Sequence, residues 1–277
     1  MRVELFGVRG SMPSTGKHTH IFGGNTSCVY IEQKNGKSLI LDSGTGIVEL
    51  GKRLVVKAEP IAILLTHNHW DHIQGFPFFT PIYQSNQNIT IVAGNVDDEE
   101  SKDAILKQMS GSQFPVKYQE LPANITLNTT LSAKKTFSLN SFSISTAPLN
   151  HPDGGTAYCI NADGKKVAYV TDNELNPPED LRTDINEWIN FIKGADLLIH
   201  DAQFIDIDLP LKHGWGHSTI NQVADLAVKA NIKNIVIISH DPARSDDELL
   251  AIENSLQAKY GDKLLIECGR EGRVFDF

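Results

Sequence analysis

The stretch Thr66-His67-Asn68-His69-Trp70-Asp71-His72 follows the apolar run Ile61 to Leu65, placing three imidazoles and a carboxylate at the end of a buried strand. A rigid strand end lets a short loop aim His67 and His69 at one metal ion and Asp71 and His72 at a second. Left without metal, the same groups would repel one another once protonated, so metal binding is the simpler reading.

Four donors leave two ions under-coordinated, and further ligands are expected where other strands end. His151 precedes the turn Pro152-Asp153-Gly154-Gly155, Asp172 closes the apolar run Val167 to Val170, and His240 closes Ile235 to Ile238. A carboxylate can place one oxygen on each of two cations, which makes Asp172 the expected bridge. Imidazole mixed with carboxylate, and no thiolate nearby, suits two divalent metal ions, Zn²⁺ or Mn²⁺.

Working outward, Val3 to Phe6, Ser27 to Glu32 and Ser38 to Leu41 are strand candidates separated by glycine-rich turns, which predicts hairpins, with a first helix over Ile47 to Lys52. Ala104, Ile105, Leu106 and Met109 predict an amphipathic helix within Asp97 to Gly111. Later helices are expected over Asp184 to Ile192, after Gly216 with Ser218 as its cap, and after the capping box Ser245-Asp246-Asp247-Glu248. Leu197 to Ile199 is another strand. Two sheet layers with helices outside them would bury all these faces, giving an α+β fold with two similar β/α halves in a single domain over residues 1–277.

With 25 basic and 34 acidic residues, the net charge of -9 argues against extended nucleic-acid binding. No run approaches membrane-spanning length, and the start Met1 to Gly7 reads as strand and lacks a secretory core. The separated cysteines Cys28, Cys159 and Cys268 read as free core thiols, in keeping with a reducing cytoplasm. Nothing in the composition opposes a homodimer.

The core His67-Asn68-His69-Trp70-Asp71-His72 resembles the HxHxDH signature of the metallo-β-lactamase fold, and His151, Asp172 and His240 resemble its later ligand motifs. Asp42, in Leu41-Asp42-Ser43-Gly44-Thr45-Gly46, is similar to its early aspartate motif. The resemblance spans nearly the whole chain and implies an αββα sandwich with a dinuclear site at one edge. It implies His67, His69 and His151 on one metal, Asp71, His72 and His240 on the other, Asp172 between them, and Asp42 supporting the ligand loop from behind.

A second cluster, His200-Asp201-Ala202-Gln203 with Gly216-His217-Ser218-Thr219, resembles the ribonuclease Z and small cyclic-phosphodiesterase branch. There a carboxylate pairs with a histidine near the scissile phosphate, which implies His217 with Asp201 as its partner. The chain departs from ribonuclease Z in carrying the shorter Asp201 where that family usually has Glu. His213 is readable either as a catalytic or as a loop-packing residue, and Lys212 either faces a phosphate or is solvated. The glycine-rich stretches Gly7 to Pro13 and Gly23 to Cys28 resemble the N-terminal strand and turn signatures of the branch but are no phosphate-binding P-loop. Of Phe76, Phe78, Phe79 and Trp215, at least two are expected in the core.

The expected activity is hydrolysis of small phosphodiesters, cyclic nucleotides included, with Asp71 as ligand and proton acceptor and His217 assisting the leaving group. Processing of tRNA 3′ ends is the first alternative, but only residues 152 to 171 separate His151 from Asp172, too few for the tRNA-clamping arm common in ribonuclease Z. A lactone or thioester hydrolase is the second, and a noncatalytic metal-binding module the third. Residues 95 to 135 could form a lid.

Overall fold

The computed structural model describes residues 1–55, 59–111, 113–209 and 211–277. Its first sheet is laid down by β1 (Arg2–Gly7), β2 (Cys28–Glu32), β3 (Ser38–Leu41), β4 (Ile61–Leu64), β5 (Asn88–Val92) and β6 (Asn124–Asn128). The second follows with β7 (Thr136–Leu139), β8 (Phe142–Pro148), β9 (Thr156–Ala162), β10 (Lys165–Val170), β11 (Leu197–Asp201), β12 (Asn234–Ile238) and β13 (Leu265–Cys268). Finally β14 (Val274–Asp276) returns to pair with β1, so the orders are β14-β1-β2-β3-β4-β5-β6 and β13-β12-β11-β10-β9-β8-β7.

The expected hairpins account for β1 to β3, whereas β3 to β6 run parallel. Parallel neighbours need a crossover, and α1 (Ile47–Leu54), α2 (Trp70–Ile73) and α3 (Ala104–Lys107) lie in those connections. The same device recurs in the second sheet, where α4 (Ile185–Ile192), α5 (Ile220–Lys229) and α6 (Asp246–Tyr260) separate the parallel strands β10 to β13. Because β3 and β4 share one direction, and β10, β11 and β12 another, the residues following them gather at common sheet edges, where chain ends distant in sequence can meet.

Strand alternation sorts the apolar side chains into three layers. Leu41, Leu64, Tyr169, Ile199, Val236 and Ile238 pack between the sheets. Ala168, Leu198, Ile235 and Ile237 point instead at Trp188, Val223 and Leu256 of the outer helices. On the opposite side Ile40, Ile63 and Ile91 meet Leu50, Phe76, Phe79 and Met109. This is the αββα sandwich expected from the sequence. Phe76 and Phe79 are indeed core residues, while Phe78 and Trp215 are exposed, and the three cysteines are buried and free. Among the described residues, no helix is long and apolar enough to cross a membrane.

Two local expectations differ from the structure. Within 97–111 the only α-helix among the described residues is the single turn Ala104–Lys107, preceded by a 3₁₀ turn that Asp98 caps. Gln108 nevertheless donates to the Ile73 carbonyl and Asn68 to the Ser101 carbonyl, so this segment packs on the histidine loop. Ser112, within the stretch 95–135 that could form a lid, lies outside the described residues. The cap of α5 is Thr219, not Ser218: Thr219 accepts from the Gln222 amide, and Gln222 bonds back. Ser218 is thereby released to donate to the Asn173 carbonyl at 2.6 Å, tying the end of β10 to the His217 loop.

Candidate metal centre

Three strand ends leave their sheets through left-handed backbone: Asp42 (φ 59°) after β3, Asp172 (φ 45°) just beyond β10, and Ser239 (φ 58°) after β12. Side chains other than Asn and Asp rarely tolerate this conformation. It interrupts the alternation of the strand, and at all three positions the side chain joins one polar cluster.

Asp42 organises the back of that cluster. Wholly buried, its carboxylate accepts from the Thr66 amide (2.8 Å), the Thr66 hydroxyl (3.0 Å), the Tyr169 hydroxyl (2.8 Å) and His72 Nδ1 (3.0 Å). Since Thr66 gives its proton to Asp42, its oxygen is left to accept from His67 Nδ1 at 3.1 Å. One carboxylate therefore fixes two imidazoles with Nδ1 protonated and Nε2 free to ligate.

The free nitrogens converge. His67 Nε2 and His72 Nε2 are buried and make no hydrogen bond, which is costly unless something occupies the space before them. Asp172 Oδ2 lies 3.7 Å from the first and 3.2 Å from the second. His151 donates from Nδ1 to the Gly216 carbonyl (3.0 Å), and its Nε2 stands 2.9 Å from His69 Nδ1. Gly216 has φ 85°, and a Cβ there would collide with the His151 ring. Ligand-type atoms of His67, His69 and His151 lie within 4.8 Å of one another, as do those of His67, His72 and Asp172. Asp71 is held close by, Oδ2 accepting from the Ser11 amide at 2.7 Å and lying 3.4 Å from His72 Nε2. Orphaned imidazole nitrogens facing carboxylates are the donor set that divalent metal ions take.

Electrostatics follow the same pattern. Burial alone lowers the His72 pKa, but Asp71, Asp172 and Asp42 overcome it and hold the group well above its usual range. His67 is driven well down by burial and the neighbouring imidazoles, and His151 falls to about 4 chiefly through burial. Burial raises the Asp172 carboxyl, yet His72 and His217 outweigh it and keep the group well below the carboxylate range.

Beside this cluster the predicted pair of Asp201 and His217 is present, although Asp201 is one methylene shorter than Glu. Asp201 ends β11 fully buried, accepts from His217 Nδ1 at 3.1 Å and from the Ser218 amide at 3.0 Å. Burial lowers the His217 pKa, but Asp201 and Asp172 more than reverse this and raise it to about 9. The His217 ring lies 5.5 Å from that of His151, and ligand-type atoms of His217, His151 and Asp172 also lie within 4.8 Å of one another. His213 and Lys212 are elsewhere engaged, the former donating to the Asn176 carbonyl and the latter paired with Asp241 at 3.0 Å.

His240 is not brought to the cluster, which corrects its assignment as a ligand. The left-handed Ser239 turns the chain so that His240 Nε2 donates to the Gly269 carbonyl at 2.9 Å, with the ring edge-on to Phe22. Burial pushes its pKa down to about 3, and that of the equally buried His200 to about 4. Both are lowered below the unfolded value near 6.5, so their contribution to stability is complete above about pH 6.5 and is lost as the pH falls towards 4, on the order of 3 kcal/mol for each. The urea midpoint of metal-stripped protein is expected to drop between pH 6.5 and 4.5, less steeply in His240→Gln. Parallel slopes would contradict this account of His240.

Several participants carried no sequence signal. Tyr169 lies in a strand candidate, Thr66 only opens the histidine stretch, and Glu174 belongs to no motif. Glu174 is buried and accepts from the amides of Gly214 and Gly216, fixing the loop that carries His217. Arg9, fully buried, donates to the carbonyls of Gly23, Asp241 and Arg244, bringing the Ser11 turn onto Asp71. Only the contacts themselves reveal these roles.

Comparison with known proteins places the site in context. A family profile described as a beta-lactamase superfamily domain matches residues 38–240, which include all the residues of the cluster but Ser11. Ribonuclease Z of Haloarcula marismortui is 23% identical over 99% of this chain and 97% of its own length. Among solved structures, the metallo-beta-lactamase fold protein YhfI from Bacillus subtilis superposes with a TM-score of 0.72 at 18% identity, covering 99% of this chain and 98% of that one. A diphosphatase from the PhnP family superposes with a TM-score of 0.69 at 17% identity, covering 100% and 97%.

Proposed function

The chain belongs to the beta-lactamase superfamily, and on that premise we propose that it hydrolyses small organic phosphodiesters, cyclic nucleotides included, at a centre of two divalent metal ions. The observation that carries this reading is the His217–Asp201 pair set against the ligand cluster, because a donor separate from the ligands suits departure of an alkoxide. His67, His69, His151 and Asp172 would hold one ion, and Asp71, His72 and Asp172 the other. When bound, such ions lower the pKa of water and neutralise charge on phosphoryl oxygens.

The chain's own residues do the rest. Asp201 fixes the His217 ring through Nδ1, leaving Nε2 to protonate the departing oxygen. Asp71 accepts the proton of the attacking water, its carboxylate steadied by the Ser11 amide. Trp70, exposed between His69 and Asp71, offers an aromatic face to the organic part of the substrate, beside a cavity of about 830 Å³ that Phe78 and Phe114 also line.

The preference for a small substrate over precursor tRNA is supported by the connection from His151 to Asp172. It is a plain hairpin, β9 and β10 in register from Tyr158 and Tyr169 to Ala162 and Lys165, with no room for an arm. The relatives' name, ribonuclease Z, makes tRNA the necessary comparison. A panel of 2′,3′- and 3′,5′-cyclic nucleotides, bis(p-nitrophenyl) phosphate, a lactone, a thioester, a β-lactam and precursor tRNA is expected to show turnover concentrated on the small phosphodiesters. Predominant cleavage of a carbonyl ester, or of tRNA at its 3′ end, would overturn the assignment.

A further inference from the structure

We propose that the two halves of this centre bind metal unequally: the imidazole side holds one divalent ion tightly, and the carboxylate side holds a second weakly, because Ser239 stands where a further ligand would have to stand. This deepens the functional reading above and rests on it only for there being two ions.

After β3, β10 and β12 the residue that adopts left-handed backbone is the one whose side chain enters the cluster, and these residues are Asp42, Asp172 and Ser239. At the third position the chain therefore presents a short neutral hydroxyl. The imidazole that follows it, His240, is committed to the Gly269 carbonyl and lies edge-on to Phe22.

Counting donors shows the imbalance. The first half has the imidazoles of His67, His69 and His151 together with Asp172, four side chains and thus a complete tetrahedral set. The second has Asp71, His72 and the same Asp172. Its carboxylates are also partly spoken for. Asp172 Oδ1 accepts from the hydroxyls of Thr171 (2.8 Å) and Ser239 (3.2 Å), leaving Oδ2 as the oxygen that faces His67 and His72. Asp71 Oδ2 accepts the Ser11 amide. A neutral hydroxyl already donating to Asp172 has little to offer a cation, so solvent must complete the second coordination sphere. Three imidazoles select a Zn²⁺-like ion, whereas two carboxylates and one imidazole with water favour a harder ion that exchanges readily.

Calorimetric titration of chelator-stripped protein with Zn²⁺, paired with elemental analysis after desalting, tests this without any substrate. One retained equivalent per chain is expected, with a second binding at least roughly ten-fold more weakly. Ser239→His supplies the missing donor and should bring the two affinities together and raise the retained metal towards two equivalents. Ser239→Ala should leave the wild-type pattern unchanged. Two equally tight equivalents in the wild type would overturn the proposal whether or not the histidine variant folds, as would a Ser239→Ala variant that loses the weaker ion. Failure to turn over phosphodiesters would bear on the functional reading alone.

Discussion

Replacing His217 with alanine is expected to reduce turnover of an alkyl phosphodiester by about 10² to 10⁴-fold while leaving bound metal unchanged. The expectation rests on the ring being held by Asp201 at 3.1 Å beside His151 and Asp172, where it can give a proton to the departing oxygen. A leaving group that needs no proton should hardly notice the loss. Bis(p-nitrophenyl) phosphate, which releases a stabilised phenolate, is therefore expected to suffer a much smaller decrease than a cyclic nucleotide. Equal losses on both substrates would contradict proton donation, and a matching loss of metal would make His217 a ligand.

The second large effect is expected from Asp42→Ala. That carboxylate is fully buried and accepts four groups, from the Thr66 amide and hydroxyl, the Tyr169 hydroxyl and His72 Nδ1. Its removal strands buried donors, each of which costs roughly 1–3 kcal/mol when unsatisfied, so a loss of about 3–5 kcal/mol in urea unfolding is expected. The same change frees the rings of His67 and His72 to reorient, and metal affinity should fall by about 10 to 100-fold. Unaltered stability together with unaltered affinity, read by competition with a chelator, would show that Asp42 supports nothing.

These effects fall on residues that were unequally readable. The loop from His67 to His72 was legible because its donors are contiguous and follow an apolar run, and His151 and Asp172 because a turn or strand end exposes them. The pairing of Asp201 with His217 was accessible only through family resemblance. His240 was misread for a definite reason. Alternation predicts a side chain's direction only while the backbone stays extended, and the left-handed Ser239 breaks that rule one residue earlier. Thr66, Tyr169 and Glu174 act through partners distant in sequence or through backbone amides, which no local pattern encodes. The shortness of the helix within 97–111 is a similar case, because the apolar spacing of Ala104 to Met109 is satisfied by one turn packed on the core. Ser218 and Thr219 were two adjacent hydroxyls, and only tertiary structure decided that the first would bind Asn173 and the second cap the helix.

Metal-dependent cleavage of a small phosphodiester is tested by a single experiment on a cyclic nucleotide. Monophosphate formation from a cyclic nucleotide would be followed with chelator-stripped protein, with the same protein reloaded with Zn²⁺ or Mn²⁺, and with reloaded His67→Ala. Turnover is expected only in the reloaded wild-type protein, since His67 Nε2, buried and without a hydrogen-bond partner, faces Asp172 Oδ2. Turnover that survives stripping and the His67→Ala change, or a fully loaded protein that cleaves no small phosphodiester, would contradict it.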